Sequence, residues 1–151
     1  MISMSLDTVR SLLRRDIGRY RTPGVNIKAT YSDHLYSSPS HTELVAILAK
    51  VASAVPDSTH YVEEMFDCDD FSYVLKGQVS LYGLESGLPA PLTIGIVWAK
   101  FNWRDEFHVA NWAIVDGDRV VWIEPQDLNS TKNWGLHDVT DCRGELAAIL
   151  L

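Results

Sequence analysis

Leu6, Val9, Leu12, Leu13, Ile17 and Tyr20 recur at helical spacing behind Ser5, with Arg10, Arg14, Arg15 and Arg19 between them. Apolar residues three and four apart share one face of a helix, and a Ser just ahead accepts hydrogen bonds from first-turn amides. An amphipathic helix is therefore predicted over residues 5–21; its arginines read as a solvated face and are assigned no site. A second helix is predicted from residue 40 to about 55. Ser40 and Glu43 have the spacing of a capping box, Leu44, Val45, Ile47, Leu48, Val51 and Val55 follow, and Pro56 is the stop. Residues 67–77 form the third predicted helix, with Phe71, Val74 and Leu75 on one face, Asp67 as cap and Gly77 at the end.

The period then changes. Residues 92–99, 107–115 and 119–124 are rich in β-branched and aromatic side chains and read as strands. Asp116-Gly117-Asp118 is the hairpin turn between the last two, and Pro125 suits the strand exit because it has no amide to donate. Residues 23–39 show no sustained period and read as an irregular connector; residues 145–151 close as a short helix or a last strand. No repeat or linker divides the chain, so one domain over residues 1–151 is expected, of α+β class, with N-terminal helices packed on an antiparallel sheet.

Composition narrows the function. The chain has 151 residues, 46% hydrophobic and 22% charged, with a net charge of −7. That balance disfavours general binding to duplex nucleic acid, whose phosphates attract basic surfaces. No stretch approaches the ~18 apolar residues of a membrane span, so no membrane association is expected. Two cysteines, Cys68 and Cys142, fit a reducing compartment and a cytoplasmic location. His137, Asp138, Asp141 and Cys142 lie close in sequence, but without a CxxC pair they are not nominated as a zinc site.

The chemistry is concentrated in three segments. Cys68 sits in the first turn of a predicted helix, where free amides and the dipole favour a thiolate. His108 and Glu124 lie on successive strands. If Val115 pairs with Arg119, Ala110 faces Glu124 and His108 faces Gln126. His108 and Glu124 are then diagonal neighbours on one face, at a backbone separation of roughly 7–8 Å that their side chains can bridge. Asn111 falls on the opposite face and is read as ordering backbone or loop. In such an order the imidazole takes the thiol proton and the acid fixes its tautomer. Gln126 and the Cys68 amide are candidate oxyanion donors.

Phe66-Asp67-Cys68-Asp69-Asp70-Phe71, Phe107-His108-Val109-Ala110-Asn111-Trp112 and Val121-Trp122-Ile123-Glu124-Pro125-Gln126 together resemble, in order and spacing, the C-terminal domain family of the Marasmius agglutinin, with its small bacterial and phage relatives. The resemblance spans residues 61–126; residues before 59 carry no family motif, and no attached lectin domain is read, so sugar targeting is not inherited. It implies a papain-like cysteine protease fold, a triad carried onto Cys68, His108 and Glu124, and calcium-dependent proteolysis. Glu63, Glu64, Asp67, Asp69 and Asp70 put five acids in eight positions beside the cysteine, a field that a hard divalent cation would invert. Asp70 is the leading calcium ligand, with Asp67 and Asp69 beside it; no organic cofactor is expected.

The function expected from these readings is a cysteine peptidase, or a related thiol hydrolase or acyltransferase, acting on a protein or peptide substrate. The alternative is a non-catalytic binding protein or host-factor inhibitor encoded by a phage or prophage. Tyr61, Phe66, Trp98, Trp103, Trp112 and Trp122 read as core rather than substrate walls, and His34 and His60 as surface residues.

Overall fold

Ser5 caps the start of the first helix as expected: its hydroxyl oxygen accepts from the Thr8 amide at 3.2 Å, and α1 runs Leu6–Asp16 with Val9, Leu12 and Leu13 buried. The helix is shorter than the periodicity suggests because Gly18 follows and residues Gly18–Tyr20 tighten into a 3₁₀ turn. The computed structural model describes residues 1–20, 28–54, 62–63, 65, 67–104, 106–126 and 135–151. The predicted helix stop at Val55-Pro56, and the readings made for Pro23, His60, Tyr61, Glu64 and Phe66, fall outside the described residues.

Helix α2 spans His41–Ala52 behind the predicted capping box. The Glu43 amide donates to Ser40 Oγ (3.2 Å), and the Ser40 amide donates to Glu43 Oε2 (2.7 Å). Helix α3 spans Cys68–Glu85 and overruns its predicted end at Gly77. A helical glycine costs about 1 kcal/mol relative to alanine, and burial of Leu75 and Val79 against α2 on either side of it outweighs that cost.

The expected irregular connector is partly regular. Ile2–Ser5 (β1) pairs antiparallel with Leu35–Ser38 (β3), and Lys28–Thr30 forms β2. Such short segments, paired with distant partners, leave no period to read. The main sheet adds Ile94–Phe101 (β4), Phe107–Val115 (β5), Arg119–Ile123 (β6), Leu136–Asp138 (β7) and Cys142–Leu150 (β8), in the order β2-β8-β4-β5-β6-β7. Its C-terminal segment is a strand, not a helix, and lies between β2 and β4. The β2–β8 pair is parallel and the others antiparallel, so the sheet is antiparallel-rich rather than wholly antiparallel.

Alternation along β5 and β6 separates two cores. Ala110, Trp112, Ile114, Val120 and Trp122 pack with Val9, Leu12 and Leu13 of α1. Ala113, Val115, Val121 and Ile123 pack with Leu44 and Leu48 of α2 and with Leu75 and Val79 of α3. Helices thus cover both faces. Val115 pairs with Arg119 and Asn111 with Ile123, the register read from the hairpin. The turn holds because Asp116 and Gly117 adopt left-handed φ values of 57° and 79°. None of the described helices is long and apolar enough to cross a membrane.

Candidate functional site

The site assembles where the N-terminus of α3 meets the ends of β5 and β6. Cys68 is the first residue of α3, half-buried, directly after Asp67. The turn is braced by carboxylates: the Asp69 amide donates to Asp67 Oδ1 (3.3 Å) and the Asp67 amide to Asp70 Oδ2 (3.2 Å). A relay ties the turn to the sheet. Ser72 Oγ donates to the Cys68 carbonyl at 2.9 Å, while Asn111 Nδ2 donates to the Ser72 and Gly95 carbonyls, each at 3.1 Å. Asn111 therefore fixes helix against strand, in keeping with its predicted ordering role.

His108 and Glu124 share a face as the register requires. His108 Nε2 lies 2.7 Å from Glu124 Oε2, and Cys68 is near enough to influence the ring. With Nε2 engaged by the carboxylate, Nδ1 is the nitrogen left for the sulfur. Burial, the largest influence, works against a charged ring. The hydrogen bonds to Cys68 and Glu124 and the charges of both prevail, lifting the His108 pKa from 6.5 to about 9. Burial likewise opposes ionisation of Glu124, yet His108, the Gln126 amide and the Arg104 charge hold its pKa below the ordinary value.

Glu124 is saturated. Besides His108, its Oε2 accepts from Trp103 Nε1 and Arg104 Nε, both at 3.3 Å, and its Oε1 accepts from the Gln126 amide at 3.0 Å. Trp103 is held by stacking on Phe101 at 4.3 Å and on His137 at 3.8 Å between ring centroids. Arg104 Nη2 donates to Gln126 Oε1 at 2.7 Å. A guanidinium has no acceptor, so this contact fixes the amide oxygen toward Arg104 and leaves the amide nitrogen as the available donor. The sequence carries no sign of a role for Arg104, and Trp103 reads there only as core. A Trp-Arg pair in a strand connection carries no period, and its role exists only once the loop meets β6.

Cys68, His108 and Gln126 open onto a cleft of about 510 Å³ lined also by Asp67, Arg104, Glu106 and Phe107. The predicted metal residues converge as well: ligand oxygens of Asp67, Asp69 and Asp70 lie within 4.8 Å of one another. The Asp69 carboxyl is pushed above its ordinary value by its hydrogen bond to Asp67, then by burial and neighbouring negative charge. That crowding of carboxylates fits a hard divalent cation, which would relieve it by supplying positive charge. The segment 137–142 does not form a comparable cluster. His137 stacks on Trp103, Cys142 Sγ donates to the Lys100 carbonyl at 3.4 Å, and burial pushes the Cys142 thiol up.

The family model described as "Agglutinin C-terminal" matches residues 38–130. No curated protein matches the chain. Among solved structures, one described as a PSL1a-E64 complex aligns with a TM-score of 0.70 and 24% identity, covering 99% of this chain and 51% of that one. Another, Polyporus squamosus lectin bound to the human-type influenza-binding epitope Neu5Aca2-6Galb1-4GlcNAc, aligns with a TM-score of 0.68 and 23% identity, covering 99% and 49%. The chain thus spans about half the length of these structures, and at such identities the likeness is one of fold.

These neighbours correct the expected function. The ligand named for the Polyporus squamosus lectin is a sialylated glycan, not a protein or peptide substrate, and neither description names a peptidase. The expectation of a cysteine peptidase or related thiol hydrolase or acyltransferase is therefore not carried forward. Nor is its alternative, a phage- or prophage-encoded binding protein or host-factor inhibitor.

Proposed function

The chain belongs to the Agglutinin C-terminal family, and from that premise we propose that its working part is a nucleophilic thiol centre, Cys68–His108–Glu124, open to a ligand cleft. The observation carrying this reading is His108 sharing a cleft with Cys68 and lying 2.7 Å from a buried carboxylate, with its pKa raised to about 9. A charged imidazole beside a thiol is the pairing through which a cysteine serves as a nucleophile. Cys68 is the nucleophile, His108 the proton carrier and Glu124 the group that orients it. The Cys68 amide and the Gln126 amide nitrogen are the donors for negative charge developing on the ligand.

In this reading the helix-borne sulfur facing a sheet-borne imidazole is a papain-like arrangement, and residues 1–151 act as one unit. Asp70, with Asp67 and Asp69, would hold calcium, which would supply positive charge at the first turn of α3 and stabilise it. Calcium is then expected to raise the melting temperature, and Asp70→Asn to remove that response; equal melting curves with and without millimolar calcium would refute the metal assignment.

A second reading, glycan recognition, draws on the ligand named for the Polyporus squamosus lectin. Alkylation by iodoacetamide across pH, mapped by peptide mass, separates the two. The thiol reading expects Cys68 to react faster than in the unfolded chain at pH 6–8, ahead of Cys142, and to fall to the unfolded rate in His108→Ala. Unfolded-like reactivity of Cys68, with glycan binding retained in Cys68→Ala, would overturn it in favour of recognition.

A further inference from the structure

Two groups in the cleft remain unused once the thiol centre is accounted for. Glu106 lines it as an exposed carboxylate with no ion-pair partner among the described residues. Phe107, beside it, is 46% exposed although the rest of β5 is buried. The positive groups nearby are already engaged. Arg104 spends Nε on Glu124 and Nη2 on Gln126 Oε1, and His108 faces Glu124. A free carboxylate next to a half-exposed aromatic ring attracts cations through charge and through the ring's quadrupole. The same wall repels anions, so a sialylated glycan carboxylate is poorly suited to this cleft.

We propose that Glu106 and Phe107 form a cation-accepting lip, so that ligands reaching Cys68 carry a primary or quaternary ammonium beside their electrophilic atom. This rests on the thiol-centre reading and names the class of ligand it serves.

The test uses three methanethiosulfonate reagents of similar size on the full chain at low ionic strength: one with a trimethylammonium group, one neutral and one with a sulfonate. In each, the Cys68 thiolate attacks the sulfenyl sulfur. A protein–reagent disulfide forms, the reagent's own S–S bond breaks and methanesulfinate leaves. The cation-to-anion rate ratio at Cys68 is expected to exceed that of the unfolded chain about tenfold. It should fall at least about threefold in Glu106→Gln, recover in Glu106→Asp, and fall further when Phe107→Ala is added to Glu106→Gln. A ratio equal to that of the unfolded chain, or one insensitive to these substitutions, with the neutral reagent still fast at Cys68, would overturn the lip alone. A neutral reagent no faster on folded than on unfolded chain would overturn the thiol centre and the lip with it.

Discussion

Glu124 accepts hydrogen bonds from four residues while only 1% exposed, so a substitution that keeps its shape but removes its charge isolates what the charge contributes. In Glu124→Gln the imidazole loses its anionic partner and retains the penalty of burial, so the His108 pKa falls. The stability consequence has a definite sign. The His108 pKa is raised, so its contribution is complete below the ordinary value of 6.5 and lost as pH climbs through about 9. The Glu124 pKa is lowered, so its contribution is present above 4.5 and lost as pH falls through the folded value. The stability gap between wild type and Glu124→Gln in urea unfolding should therefore be widest near pH 6 and narrow by about 1–3 kcal/mol as pH rises through about 9. A gap that stays constant from pH 6 to 10 would contradict the pairing. Arg104 is 39% exposed, so Arg104→Gln should cost only about 1 kcal/mol in urea unfolding, while lowering the protection of Glu124. A loss several times larger would show that the arginine serves the fold rather than the carboxylate.

The helix–sheet seam decides whether the sulfur meets the imidazole. Asn111 is fully buried, and its Oδ1 has no hydrogen-bond partner, a cost of about 1–3 kcal/mol that its two donated bonds must offset. In Asn111→Leu the orphan oxygen disappears along with the tether to Ser72. Stability should change by less than about 2 kcal/mol while Cys68 alkylation slows several-fold, compared by urea unfolding and by rate; equal losses in both would mean no specific tether. Gly95 is more severe. A Cβ there would collide with the Leu150 carbonyl oxygen and come within 2.6 Å of the Trp112 indole. Gly95→Ala should therefore destabilise by more than about 3 kcal/mol in the same assay. The three helix caps, the hairpin register and the shared face of His108 and Glu124 were legible because each depends on residues close in sequence. Strands β1 to β3 and the continuation of α3 past Gly77 were not, since distant pairing and burial against α2 override local preference.

At the scale of the whole molecule, the C-terminal strand β8 lies inside the sheet between β2 and β4, and its Leu146 and Ile149 join the core packed against α1. Cys68, His108 and Glu124 were legible as a candidate group because they lie on three short segments of distinctive composition. The Trp103–Arg104 brace and the orientation of Gln126 emerge only from the closed sheet, where the β4–β5 connection reaches the end of β6. The acidic first turn of α3 was also legible, though not how its carboxylates divide between capping and crowding one another. All of this depends on Cys68, His108 and Glu124 behaving as one interacting unit. The most direct measurement is an NMR titration of the His108 ring in the wild type, in Cys68→Ala and in Glu124→Gln. A midpoint of about 9 is expected in the wild type, displaced downward by each substitution. A wild-type midpoint near 6.5, unmoved by either change, would contradict it.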